Sequence, residues 1–351
     1  MSHAISKAQE GRGSDTAQPL VREEFVPGSF ALRDAWFPIA HAPHVGRDPI
    51  RRYIHSQPFY LWREGGKAKA AEFHPTKLAS LRNGASSFTG GSAYYPVLER
   101  YGYVWVWYGN PDNADLELVP DVPYLPIEGV KLPRHMWGQI YFNCSYELAS
   151  ENLLDLVHAD YLHSNFVGNE ENETDEVRVE STSETITMIR ECTGRKIPPA
   201  LRRLGIPSDK ADYRAVAHVH IRSGVIVLYG KFTPGFSQPL FHPLIPEGRY
   251  LCRNNFTFNI TDAPAIARNI FPLFAYGIGP QDDEMMSEQN PLYLAERGRR
   301  DVSSRFDAAG SRYRMTLAKL VRRQRDGDFG YQSDADPGMD ISGILGCKRA
   351  S

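Results

Sequence analysis

Cysteine is scarce in this chain, and what there is never falls in pairs. Cys144, Cys192, Cys252 and Cys347 are scattered through 351 residues, which argues against a disulfide framework and against a zinc knuckle. Charge of one sign is also missing: 40 basic residues face 42 acidic ones, for a formal net charge of −2. A surface for nucleic acid or an anionic membrane would need a basic excess. No apolar run approaches the roughly 20 residues that cross a bilayer. The opening residues, MSHAISKAQEGRGSDTAQPL, lack the apolar stretch of a secretory signal. These absences predict a cytoplasmic chain with neither a nucleic-acid nor a membrane partner, led by a disordered arm over residues 1–30. Internal repeats and low-complexity tracts are lacking too.

What is present is an ordinary globular composition, 42% hydrophobic and 23% charged, long enough for two or three domains. Residues 31–112 carry β signals: PFYLWR, AYYPVLER and YGYVWVWYG are aromatic and β-branched, broken by Gly-Gly or Asn-Pro. VWVWYG alternates too little for a half-exposed strand and is expected to be buried on both faces. The proline-rich LELVPDVPYLPIEGVKLP follows as a connector. Strand-like alternation returns over residues 174–260, and residues 282–326 have Leu and Met at helical spacing. Long β runs flanked by helices, without βαβ alternation, predict an α+β fold with an antiparallel sheet. A tail over residues 326–351 reads as loop.

Between the β regions lies YELASENLLDLVHADYLHSNF, whose apolar residues Leu148, Leu153, Leu156, Val157, Tyr161 and Leu162 are spaced helically for about three turns. His158 and His163 within it are candidate metal ligands, since imidazole suits iron, zinc or copper. Positions i and i+5 diverge by about 140° on an ideal helix. Both rings therefore reach one ion only if the helix bends or ends between them. A carboxylate would complete a two-histidine, one-carboxylate face with positions left open for dioxygen. Asp155 lies on the opposite rim of the turn from His163, so a distant acid is the better third ligand. Two partly buried histidines without a metal would have the same spacing.

Taken whole, Asn152-x-x-Asp155-x-x-His158-x-x-x-x-His163 resembles the iron-binding segment of the Rieske-type ring-hydroxylating oxygenases, and looks closest to their vanillate O-demethylase branch. Gln281-Asp282-Asp283-Glu284-Met285-Met286 is similar to the segment that supplies that family's carboxylate ligand. Phe306-Asp307 through Arg314 resembles the helix start downstream of it. Trp36-Phe-Pro-Ile-Ala and Glu99-Arg-Tyr-Gly-Tyr-Val-Trp-Val-Trp extend the likeness over residues 31–325. The resemblance implies Fe(II) held by His158, His163 and Asp282, with Asp283 as the neighbouring alternative. It implies Asn152 near the iron, and Asp155 as the carboxylate that holds a histidine and links the iron to a neighbouring subunit's electron-donating cluster. The fold it implies is a small Rieske-like β domain (31–112) before a catalytic domain of helix-grip type (113–325).

The family's amino-terminal domain binds a [2Fe-2S] cluster through two cysteines and two histidines. Here no cysteine precedes Cys144. His74-Pro75-Thr76 aligns with the first ligand loop, with His74 at the cysteine position and Thr76 at the histidine position. The second loop is reduced to ASSFTGGSA. The chain is thus expected to hold no [2Fe-2S] cluster of its own. Electrons would come from a separate Rieske-cluster-bearing oxygenase subunit or a reductase, an arrangement that a methylxanthine N-demethylase system resembles. The reaction expected is O2-dependent hydroxylation or O- or N-demethylation of an aromatic, heteroaromatic or alicyclic substrate, in a trimer or mixed hexamer. A non-catalytic subunit beside an active paralogue, and a zinc hydrolase using the same donors, are the other readings.

Overall fold

The structure, a computed structural model, describes residues 32–79, 93–168, 175–295 and 304–351. The arm expected over residues 1–30 and all of ASSFTGGSA except Ala93 lie outside the described residues.

Among the described residues, seven strands fall within 35–108: β1 (Ala35–His41), β2 (Ile50–Ile54), β3 (Gln57–Glu64), β4 (Lys67–Ala71), β5 (Tyr94–Tyr95), β6 (Val97–Arg100) and β7 (Tyr103–Tyr108). They form two antiparallel sheets, ordered β1-β7-β6 and β2-β3-β4-β5. Every residue of β7 is buried, as its unbroken apolar character implies.

The larger sheet comprises β8 (Ile140–Phe142), β9 (Glu176–Ser181), β10 (Thr185–Lys196), β11 (Lys210–His220), β12 (Val225–Thr233), β13 (Ser237–Gly248), β14 (Leu251–Asn254) and β15 (Thr257–Phe258). Its order is β8-β14-β13-β12-β11-β10-β9, with β15 on β13, and its pairings are antiparallel. Successive side chains of a strand point to opposite faces, and here both faces are covered. Ile189, Val216, Val225, Val227 and Phe241 pack on Trp36, Trp105 and Trp107 of the small unit. Their neighbours Met188, Ala217, Val219 and Ile226 pack instead on helices. Those helices are α1 (Tyr146–Leu154), α2 (His158–Leu162), α3 (Ala275–Ala295) and α4 (Ala308–Arg325). The result is the α+β architecture expected, a β unit followed by an antiparallel sheet gripped by helices.

The two units are closely joined. His55 and Ser56 donate backbone bonds to the Pro246 and Glu247 carbonyls, and the Tyr103 hydroxyl donates to the Asn255 carbonyl at 2.7 Å. The tail is irregular apart from one turn, but it is docked along the body. Arg214 on β11 donates to the Leu345 and Ile344 carbonyls, Arg349 pairs with Asp121, and Ala350 N–H donates to Pro123 O. Among the described residues no helix is long and apolar enough to cross a membrane.

Candidate metal centre

The helix expected through His158 and His163 is two helices. Ser145 caps the start of α1 by accepting from Leu148 N–H. At Asp155 the backbone leaves the helical region (φ −77°, ψ 93°), and the Asp155 carboxylate accepts from Val157 N–H at 2.9 Å. Aspartate side chains offer the backbone this alternative to helical bonding. The chain re-enters a helix at His158 and leaves it again at His163, which closes α2 with φ −109° and ψ 29°. Because α2 ends at Leu162 and His163 leaves the helical region, the two rings meet where a straight helix would separate them. Gly168 secures the exit: its N–H donates to His163 O, and a Cβ on it would lie 2.2 Å from the Ala159 carbonyl oxygen.

The third donor comes from α3. Asp282 is buried in the middle of that helix, and its Oδ1 lies 3.1 Å from His163 Nε2 and 3.4 Å from His158 Nε2. The two Nε2 atoms are 3.2 Å apart. Asp283 turns away to accept from the Asn143 backbone and amide, so the structure brings Asp282 and not Asp283 to the histidines.

These three edges suit one ion. Two ligand bonds of about 2.1 Å place their donor atoms about 3.0 Å apart at 90° and about 3.4 Å apart at 109°. The hydrogen bonds of the remaining nitrogens agree with that use. His158 Nδ1 donates to the Asp155 carbonyl, and His163 Nδ1 lies 2.9 Å from Gln281 Oε1. With Nδ1–H donated in both rings, the Nε2 lone pair is left for a metal. Burial opposes a charge on Asp282, but bonds from both histidines overcome it and hold the carboxyl well below its usual range. Burial likewise disfavours His158⁺, and the Asp282 bond and charge outweigh it, raising that pKa. An anion facing two imidazoles is a site that favours a cation.

Asn152, on α1, donates to Asp282 Oδ1 at 3.0 Å, so it touches the carboxylate. Asp155 holds His158 through its backbone carbonyl; its carboxylate serves Val157 instead. His74 caps the one-turn helix Pro75–Leu78, with its Nδ1 accepting from Thr76 N–H.

Other polar groups at the site were not evident in the sequence. Gln281 is one. Another is a buried ion network in which Arg190 of β10 pairs with Asp160 and Asp175, and Arg195 with Asp160. Arg190 also donates to Leu156 O at 2.9 Å, so the guanidinium grips both the break before α2 and α2 itself. Beside the three donors lies a largely apolar cavity of about 170 Å³ between the sheet and α3, lined among others by Ile140, Leu240, Phe256, Phe258 and Phe271. Polar residues at inward positions of β13, in Gln238-x-Leu240-x-His242, were the one available sequence signal for its polar lining.

A helix-grip sheet with a two-histidine, one-carboxylate face beside an apolar cavity is the frame of a mononuclear metal protein that accepts a small organic ligand. Residues 142–323, more than half of the chain, match the family described as the vanillate O-demethylase oxygenase C-terminal domain. The chain belongs to that family, the ring-hydroxylating oxygenases of vanillate O-demethylase type. It is 31% identical over 213 residues to the vanillate O-demethylase oxygenase subunit of Pseudomonas sp. strain HR199, covering 50% of this chain and 59% of that one. It is 27% identical over 167 residues to the oxygenase component of dicamba O-demethylase from Stenotrophomonas maltophilia, covering 38% and 48%. The matched segments thus span about half the length of these relatives. In fold it is similar to dicamba monooxygenase bound to 3,6-dichlorosalicylic acid, with TM-score 0.70 and 18% identity over 84% of this chain and 98% of that one. The terminal oxygenase of carbazole 1,9a-dioxygenase from Nocardioides aromaticivorans IC177 matches with TM-score 0.58 and 12% identity, over 91% of this chain.

Proposed function

We propose that the chain is the oxygenase component of a multi-component system and binds one Fe(II) through His158, His163 and Asp282. The observation that carries this reading is the triangle of Nε2, Nε2 and Oδ1 atoms with both Nδ1 positions already engaged. Bound there, iron would supply dioxygen activation at the positions its protein ligands leave open. Gln281 and the Asp155 carbonyl keep the imidazoles turned toward the ion, and Asn152 steadies the carboxylate. The apolar cavity would hold the substrate's reacting carbon against this face and exclude bulk water.

The proposed reaction hydroxylates a ring or an O- or N-methyl carbon of an aromatic, heteroaromatic or alicyclic compound. For an aryl methyl ether, one O2, two electrons and two protons yield the phenol, formaldehyde and water. The electrons would come from a separate Rieske-cluster-bearing subunit, docked in a trimer or mixed hexamer so that Asp155 faces it. Support for an external donor is the lack of cysteine before Cys144, together with the use of His74 as a helix cap. The same absence favours the second reading, a non-catalytic subunit of the same fold.

Metal analysis after anaerobic purification tests the centre. About one iron per chain, lost in His158→Ala, is the expected result; stoichiometric zinc with hydrolytic turnover would overturn it. Formaldehyde release should require a cluster-bearing partner in addition to a reductase. If Asp155→Asn leaves partner-supported turnover unchanged, the electron route through that residue is wrong. Iron without turnover in the presence of a competent partner selects the non-catalytic reading.

A further inference from the structure

The wall of the cavity beside the metal centre holds a hydroxyl that the fold leaves unused. Other polar groups there are engaged or sealed. Arg190 and Arg195 pair with Asp160, and the unpartnered Gln238 Nε2 and Asn254 Oδ1 have almost no accessible surface. Tyr213 of β11 differs. It lines the same cavity and keeps part of its surface accessible. Its hydroxyl has no hydrogen-bond partner among the described residues, and it is not closed off from solvent as those two atoms are.

The placement follows from the sheet. Side chains two apart on a strand share a face, so Tyr213 stands on the side of Ala217 and Val219, which the helices cover. β11 runs between β10 and β12, so the ring is not at a sheet edge. Across the ladder it sits opposite Phe232, and the two rings stack at 4.5 Å and 26°. The Arg195 guanidinium lies 5.8 Å from the ring centroid, and Arg195 is itself held by Asp160. The ring is thus fixed before a ligand arrives, which spares the ligand the cost of ordering it.

Gly230 lies two residues before Phe232 on the same face of β12. Its φ is not positive, so the backbone does not call for glycine there. A Cβ on it would come 3.0 Å from the Tyr213 hydroxyl oxygen and 3.3 Å from the ring atom Cε2. Glycine inside a strand often marks a close approach, and here it makes room for the hydroxyl end of Tyr213. Burial pushes the phenol up to about 12, against the charges of Arg195 and Arg190, so the hydroxyl keeps its proton at pH 7 and can donate it. A buried tyrosine hydroxyl ordinarily finds a partner; this one has only the cavity to find it in.

We propose that Tyr213 is a ligand-binding residue whose hydroxyl donates a hydrogen bond to an acceptor oxygen of the compound held in the cavity. The identity of that compound as substrate rests on the oxygenase reading: the substrate is then an oxygen-bearing compound and not a hydrocarbon. A carbonyl and a carboxylate would both serve, and the test separates them.

Three single-ring probes of similar size carry that test: acetophenone, benzoate and toluene, which offer a carbonyl, a carboxylate and no acceptor. Their affinities for the full iron-loaded chain and for Tyr213→Phe are measured by titration calorimetry, without oxygen or an electron donor. The phenylalanine variant keeps the ring and its stacking. It should leave toluene within about twofold and weaken acetophenone about three- to tenfold or benzoate about tenfold or more, since a bond to a charged acceptor is the stronger. Loss confined to acetophenone assigns a neutral acceptor, loss confined to benzoate an anionic one, and loss at both shows that either serves. Gly230→Ala, which crowds the hydroxyl while retaining it, should weaken the same probe, and it replaces Tyr213→Phe if circular dichroism shows that variant unfolded. Unchanged affinity for both oxygen-bearing probes overturns the proposal, because the hydroxyl is then satisfied by water. Equal losses for all three probes overturn it too, leaving Tyr213 to shape the wall alone. So does failure of the parent chain to bind either oxygen-bearing probe. Because turnover is not read, a chain that binds these probes through Tyr213 yet never oxidises a compound keeps this inference and loses the proposed function.

Discussion

Gln281 Oε1 stands 2.9 Å from His163 Nδ1, while the next residue, Asp282, meets the Nε2 of the same ring at 3.1 Å. Two consecutive residues of α3 thus address both nitrogens of one imidazole and fix its rotation and its tautomer. Gln281→Leu should lower Fe(II) affinity about 10- to 100-fold, as losses of such supporting bonds do. Competition against a chelator under argon measures it, and an unchanged affinity would show that Asp282 orients the ring unaided.

Arg190 joins the break between α1 and α2 to the sheet. Removing one partner of a buried charge network costs about 3–5 kcal/mol, because the remaining charges stay buried. Arg190→Met should therefore lose about that much stability in urea unfolding, and should weaken metal binding through displacement of α2. Arg202→Met is the control: its pairing with Asp209 is on the surface, where ion pairs contribute about 0–1 kcal/mol.

Glu147, in the first turn of α1, is buried. Burial pushes its carboxyl up from 4.5 to about 7, against opposing bonds from its own backbone and Ser145. Between those values the folded state holds a proton that the unfolded state has released, so this group's contribution to stability falls as pH rises from about 4.5 through about 7. Glu147→Gln should be up to about 3 kcal/mol more stable than the parent above pH 7, with the gap closing near pH 5. Paired chemical denaturation at the two pH values tests this, and a gap independent of pH would contradict it.

The tightest backbone approach near the centre is at Gly168. Because the atom a Cβ would meet is the Ala159 carbonyl oxygen, relief requires movement of the segment that carries His163. Gly168→Ala should cost about 1–3 kcal/mol, as overpacking does, and should reduce iron affinity more than Gly248→Ala, where a Cβ meets nothing within 4 Å. Equal metal affinities in the two variants would show that the α2 exit does not position His163.

Much of this was legible in the linear chain. The buried strand YVWVWY and the β unit followed by a helix-flanked antiparallel sheet follow from periodicity and residue type, which act over a few neighbours; His158 and His163 were marked as candidate ligands by residue type, and their pairing was what the family resemblance implied. The requirement that the helix bend or end between the histidines also followed, since it is a matter of angle per residue. The double break itself was not visible. It depends on an Asp155 side chain choosing Val157 N–H, and on Arg190, a strand residue, reaching the Leu156 carbonyl. The tail read as loop and is largely so, but its docking on Arg214 and Asp121 joins residues more than a hundred positions apart.

The sequence by itself determined the inventory: two imidazoles five residues apart, an acidic pair at Asp282 and Asp283, and no cysteine before Cys144. Spacing along a chain constrains only local geometry, so it could not choose between the two acids. Tertiary structure made that choice, because successive residues on a helix point about 100° apart, and the docking of α3 against α1 and the sheet decides which one faces inward. It also decided the chemistry of the cavity. Whether an arginine is a free cation or half of a buried pair depends on what another strand or helix brings to it.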